Sequence, residues 1–180
     1  RMFKPALALG ALAFVSLPAF ADGWKALPIL HDPGYRMEPT LAVSLARVDP
    51  TDGGAVTAYG LDFNFNCLLL QDPQGRMRTH LNLSRSDEKG VDVTGYELSP
   101  RYTIPLEGGL SVGIGPSLAV FDVATARADK NLLGIGVAAG VNYRMGMLYL
   151  GADVRYHETG SRGGVDYDHF TIAAKVGVNF

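Results

Sequence analysis

From Thr40 onward the chain alternates apolar and polar residues through about eight consecutive segments, and a two-residue period sustained this long restricts it to β structure. In the last segment, HFTIAAKVGVNF, one face carries Phe170, Ile172, Ala174, Val176, Val178 and Phe180, and the other carries Thr171, Ala173, Lys175, Gly177 and Asn179. The seventh sets Leu148, Leu150, Ala152, Val154 and Tyr156 against Tyr149, Gly151, Asp153, Arg155 and His157. The same phase runs through the earlier segments, among them Tyr59, Leu61, Phe63, Phe65 and Cys67, then Thr79, Leu81 and Leu83, and then Leu110, Val112, Ile114, Leu118 and Val120. Gly, Pro, Asp and Asn separate the segments.

A hairpin has to pair inward residues with inward residues. A two-residue turn at Met145-Gly146 would pair Asn142 with Tyr149, and the turn at PLEGG, residues 105 to 109, would pair Ile104 with Leu110; the faces agree in both. The alternation fails at CLLLQDPQG, where Leu68 and Leu70 would point to the polar side, so a bulge or an early strand end is expected there. Further connections are expected near 49 to 54, 86 to 90, 123 to 131 and 158 to 165.

The two faces leave open which one meets solvent. A soluble sandwich or a lipocalin-like binder buries the apolar face, whereas a membrane barrel turns it outward. Gly113, Gly115, Gly134, Gly136, Gly140, Gly151 and Gly177 all fall on the polar face. On a water-exposed surface they would weaken the strands for no return, but inside a narrow barrel they leave room for long polar side chains. Strands cross hydrocarbon only when every backbone group is paired, which requires closure. The expected fold is therefore all-β: a closed antiparallel transmembrane β-barrel of about eight strands, up-and-down, over residues 40–180.

The start of the chain has a different character. Arg1 and Lys4, the apolar run Ala6 to Leu17 and the Ala19-Phe20-Ala21 triplet have the form of a secretory signal peptide, residues 2–21. Residues 22–39, with Pro28, Pro33, Gly34 and Pro39, read as an irregular leader, in which Trp24 and His31 would pack locally. Without Arg1 and Lys4 the chain holds 14 basic against 18 acidic residues and no basic cluster, which excludes nucleic acid as a partner. Cys67 is the sole cysteine, so neither an internal disulfide nor a multi-cysteine metal site is expected.

A cleavable signal, eight alternating strands and VGVNF with Phe180 last make the chain resemble the small outer-membrane β-barrel proteins of Gram-negative bacteria, the OmpA-type membrane domain and the OmpX-like group. The resemblance implies an outer-membrane location with both termini periplasmic, and a monomer with a structural or surface-interaction role. It also implies lipid and lipopolysaccharide around the barrel, and periplasmic chaperones and the barrel-assembly machinery as partners, with Phe180 read as the assembly signal. No cofactor or metal is expected. Glu97, Arg101, Asp153, Arg155 and Lys175 face the lumen, where charges are costly unless paired, so they are expected to form an ion-pair network. The enzyme alternative is a lipid A-modifying hydrolase using His157, Glu158, Ser161, Asp166, Asp168 and His169 near the last outer connection. Against it, the His and Ser two residues apart that mark the lipid A deacylase barrels are absent: His80 is followed by Asn82 and His169 by Thr171.

Overall fold

The computed structural model describes residues 23–51, 53–88, 90–125, 128–160 and 167–180. The expected signal peptide, Ser161 and Asp166 lie outside them. Eight strands close into one antiparallel barrel: β2 (Thr40–Pro50), β3 (Val56–Asn66), β5 (Met77–Glu88), β6 (Val91–Pro105), β7 (Leu110–Thr125), β8 (Ala128–Met145), β9 (Leu148–Thr159) and β10 (His169–Asn179). Each pairs with the next in sequence, and β10 returns to β2 through pairs such as Val176↔Val43 and Ala173↔Ala46, so the barrel has no open edge. A small accessory sheet joins β1 (Lys25–Ala26) to β4 (Leu70–Gln71), beside a single helical turn, α1 (Pro28–His31). The leader is thus partly ordered where irregular structure was expected. Its partner is the CLLLQDPQG stretch, which leaves the barrel after Asn66 and so resolves the phase conflict.

The distribution of side chains is inside-out. Ile135 and Leu150 are 43% and 42% exposed, while Asp62, Asn64 and Ser99 are fully buried. The glycines serve two kinds of close approach. A Cβ on Gly140 would lie 2.3 Å from Asp153 Oδ1, so this residue makes room for a lumen side chain, whereas one on Gly115 would lie 1.9 Å from the Pro100 carbonyl, so that residue admits the neighbouring strand. The β6–β7 ladder is interrupted between Leu98↔Leu118 and Tyr102↔Ile114, where neither Pro100 nor Pro116 has an N–H to give.

Both predicted hairpin registers shift by two residues. Asn142 pairs with Gly151 and Met145 with Leu148, because the tight turn is Gly146-Met147 and its first central position needs the positive φ that Gly146 (56°) adopts readily. Ile104 pairs with Val112, with Gly108 and Gly109 both at positive φ in the turn. An even shift preserves the faces.

The expected connections at 86–90 and 123–131 are shorter than predicted, because the strands continue through them with reversed polarity. Beyond Leu83, Tyr96, Val120 and Leu133, the outward positions become Arg85, Thr94, Asp122 and Asn131, while the inward positions become Val93, Phe121, Val123 and Leu132, all buried. The barrel wall thus has an apolar outer band and, above it on β6, β7 and β8, a collar built like a soluble protein. On β10 the band runs from Phe170 to Phe180, roughly 33 Å of strand at about 3.3 Å per residue. Tilted by roughly 40°, that length is about 25 Å along the axis, the height of a hydrocarbon-spanning band.

Candidate functional site

Four strands aim charged side chains at the middle of the lumen, and a fifth, β5, adds Asn82 and His80. Asp153 of β9 is the hub: its carboxylate accepts two parallel hydrogen bonds from Arg101 of β6 (3.0 and 2.9 Å), one from Arg155 (3.3 Å) and an ion pair from Lys175 of β10 (2.6 Å). Arg155 also reaches Glu97 (3.0 Å) and the Asn82 carboxamide (3.1 Å). Lys175 also meets Asp62 of β3 at 3.2 Å, and Asp62 lies 3.3 Å from His80 Nδ1 and accepts from Asn64 at 2.9 Å. Glu97, Arg101, Asp153, Arg155 and Lys175, singled out in the sequence, therefore converge in one cluster.

Sequence reasoning placed Asp62 and His80 on the polar face but did not connect them to that cluster. Alternation tells which way a side chain points, and register tells which residues flank it. Neither reports a contact across the lumen such as Asp62–Lys175, between strands separated by β2. With Asp62 included, three carboxylates face three permanent cations, and every one of the six has a partner of opposite charge.

Two further layers flank this cluster. On the side of the β8–β9 turn, the Asn64 side-chain oxygen accepts from Arg78 (3.0 Å) and Arg144 (2.7 Å), and the buried Tyr149 hydroxyl donates to Asn142 (2.6 Å). On the opposite side the lumen turns aromatic. Phe121 packs edge-on against His157, Tyr167 and His169, over a floor of Val93, Ala119, Val123 and Leu132. Burial pushes the Tyr167 hydroxyl up to about 12, so it stays neutral. A cavity of about 30 Å³ lies between the aromatic layer and the ion pairs, bordered by Asn82, Glu97, Arg155 and His157, with space for a water molecule.

Of the hydrolase candidates, Ser161 and Asp166 lie outside the described residues, and the four that are described do not form one cluster. His157 and His169 both point inward and their rings stack at 5.2 Å, whereas Glu158 stands on the outward side and Asp168 caps the backbone N–H of Thr159 (2.7 Å). The hydroxyl that does meet His157 is Ser117, 2.8 Å from Nε2. Ser117 also donates to Glu97 (2.9 Å), so the carboxylate sits on the hydroxyl, and the buried His157 Nδ1 has no hydrogen-bond partner. A Ser-His-acid site needs the acid on that other ring nitrogen.

A closed eight-stranded antiparallel barrel, apolar outside and ion-paired within, defines the class of small transmembrane β-barrels. Among solved structures the chain is similar to neisserial surface protein A (16% identity, TM-score 0.54, covering 79% of this chain and 95% of that one). It is also similar to the N-terminal β-barrel domain of Pseudomonas aeruginosa OprF (13%, 0.57, covering 81% and 100%) and to Ail, the attachment invasion locus protein of Yersinia pestis (10%, 0.51, covering 81% and 100%). At these identities the likeness is one of fold. No protein-family model and no curated protein matches the sequence.

Proposed function

We propose that the chain is a monomeric outer-membrane β-barrel of a Gram-negative envelope, non-catalytic, with a structural or surface-interaction role. Its lumen is closed by a polar and ionic core. The observation that carries this reading is the reversal of polarity: charged pairs fill the lumen behind an apolar outer band of membrane height, and above that band, on β6, β7 and β8, polar residues turn outward and apolar residues inward. A lipocalin-like binder would keep its apolar side chains inward along the whole strand.

On this reading the collar is the end that stands in water outside the cell; the even strand count leaves both termini at the other end, which is then the periplasmic one. The surface-interaction part draws on the fold shared with a protein named for attachment and invasion. Lipid and lipopolysaccharide surround the band. During biogenesis, periplasmic chaperones and the assembly machinery handle the chain, with Phe180, outward and 72% exposed, as the residue read. The aromatic layer packed above the ion pairs favours a non-conducting barrel.

Cell fractionation with heat-modifiable gel migration tests the reading. Membrane recovery and a heat-dependent shift are expected; recovery as a soluble periplasmic protein refutes it. The Ser117–His157 contact is the one observation that favours a lipid-modifying enzyme. The expected result is no change in the mass of host lipid A, and a mass change abolished by Ser117→Ala would replace this proposal.

A further inference from the structure

The outer face of β3 and β5 changes character within two rungs. Leu61 and Leu83, a cross-strand pair, are 47% and 42% exposed, as lipid-facing residues are; Phe65 and Thr79, paired on the same face nearer the Asn66 end, are 7% and 8% exposed, and Cys67 is 5% exposed. Protein covers them. The covering unit is the leader together with the 67–76 connection, which β1 and β4 and a bond from Leu27 N–H to the Leu69 carbonyl (2.8 Å) join to each other. Two more bonds fasten it to the barrel: the Tyr35 hydroxyl donates to the Asn66 carbonyl (2.5 Å), and the Asn66 N–H donates to the Met37 carbonyl (2.8 Å).

This unit covers an apolar surface and presents another. Pro28 is fully buried, while Leu27, Ile29, Leu30 and Leu69 are 40%, 50%, 70% and 68% exposed. Leu27 starts the helical turn at φ 47°, a left-handed conformation that leucine seldom adopts, so the tertiary structure imposes it. Nearby charges are tied back within the unit, Lys25 to Asp32 and Arg76 to Asp72, both at 2.6 Å.

We propose that residues 23–37 and 67–76 form a foot lying in the periplasmic interface of the bilayer, where it displaces lipid from Phe65, Thr79 and Cys67 and offers Ile29, Leu30 and Leu69 to lipid in their place. The inference rests on the membrane reading above. Lipid is the occupant because the foot continues the apolar band directly, at the rim where Phe180 and Met147 are also exposed (72% and 71%). Its only indole, that of Trp24, is half-buried in the same unit, as suits an interfacial aromatic.

Trp24 is the chain's single tryptophan, so its emission reports on the foot alone. The full chain is refolded into phosphatidylcholine vesicles, and insertion is established first by heat-modifiable migration. Lipids brominated near the headgroup should then quench Trp24 strongly, and lipids brominated deep in the chain weakly. The double substitution Ile29→Asp, Leu30→Asp should abolish most of the quenching while the barrel keeps its gel shift. An inserted barrel with unquenched Trp24 overturns the foot and leaves the membrane reading standing; failure to insert at all overturns both. Quenching that survives both aspartates, or that disappears as copies cross-link at high protein-to-lipid ratio, also overturns the proposal, the latter in favour of a second copy.

Discussion

Replacing Asp153 tests whether the lumen is a dry, neutral core. In Asp153→Ala, Arg155 keeps Glu97 and Asn82, and Lys175 keeps Asp62. Arg101, 1% exposed, keeps only the Ser99 hydroxyl at 3.2 Å. One fully buried guanidinium is left without a counter-charge, and breaking a buried pair in this way costs about 3 to 5 kcal/mol. Asp153→Asn, which keeps the shape and removes the charge, should recover little of that. Adding Lys175→Met to Asp153→Ala restores the equality of cations and carboxylates, so the double variant should be more stable than the two single losses predict, by roughly 1 to 3 kcal/mol. The assay is reversible urea unfolding in vesicles, followed by far-ultraviolet circular dichroism of the strands and by gel shift. A loss under about 1 kcal/mol for Asp153→Ala, the range of solvent-exposed pairs, would mean that water fills the lumen and that desolvation does not set the energetics. Strict additivity in the double variant would refute the coupling.

Arginine at Ile135 or Leu150, on the outer face of the band, should cost about 2 to 4 kcal/mol in bilayer refolding, and equal tolerance there and at collar positions such as Asn131 would mean the band is misplaced. Phe121→Ala removes the ring on which His157, Tyr167 and His169 pack, so small-ion conductance in planar bilayers should appear where the unaltered barrel shows little; conductance already high in the unaltered barrel would refute the closed lumen. Deleting Phe180 should cost the refolded protein about 1.5 to 3 kcal/mol, the burial of one large side chain. Its effect on protease-accessible surface assembly in cells should be far larger, and proportional losses would reduce Phe180 to an interfacial anchor.

The fold was legible because alternation is a local property. Val137 and Ile135 face away from Gly136 whatever the rest of the chain does, and a closed barrel is the arrangement in which eight such strands leave no edge. Turn registers were legible only to within two residues, since either register preserves the faces and the choice lies in which residue takes a positive φ. The ion pairs were legible as a set of inward charges, but not as a wiring diagram. Asp62 and Ser117 find partners across the lumen, at separations of 113 and 40 residues, that no local pattern encodes. The collar was missed because its polarity runs opposite to that of the band. Phe121 and Asp122 simply look out of phase with Leu118 and Val120, and out-of-phase residues read as the start of a loop.

That reversal is also the sharpest internal measure of where the bilayer ends. An aromatic ring at a strand end, such as Tyr59 or Phe170, is compatible with several depths, because the indole or phenol belt is broad and rings occur at strand ends in soluble sheets as well. A change of sign in the inside-outside polarity is not compatible with several depths. Above the boundary, Asp122 facing outward meets water while Phe121 facing inward finds a core; below it, Leu118 facing outward meets hydrocarbon while Ser117 facing inward finds Glu97 and His157. Sliding the membrane up by one rung would bury Asp122 and Arg85 in hydrocarbon, and sliding it down would expose Val120 and Leu133 to water. Both moves raise the free energy, so the chain specifies its own depth. At the opposite end no such reversal occurs on β3 and β5: the wall stays apolar down to Phe65, which is itself buried, and the proposed foot stands where the lower edge of the band has to be set by something other than charge.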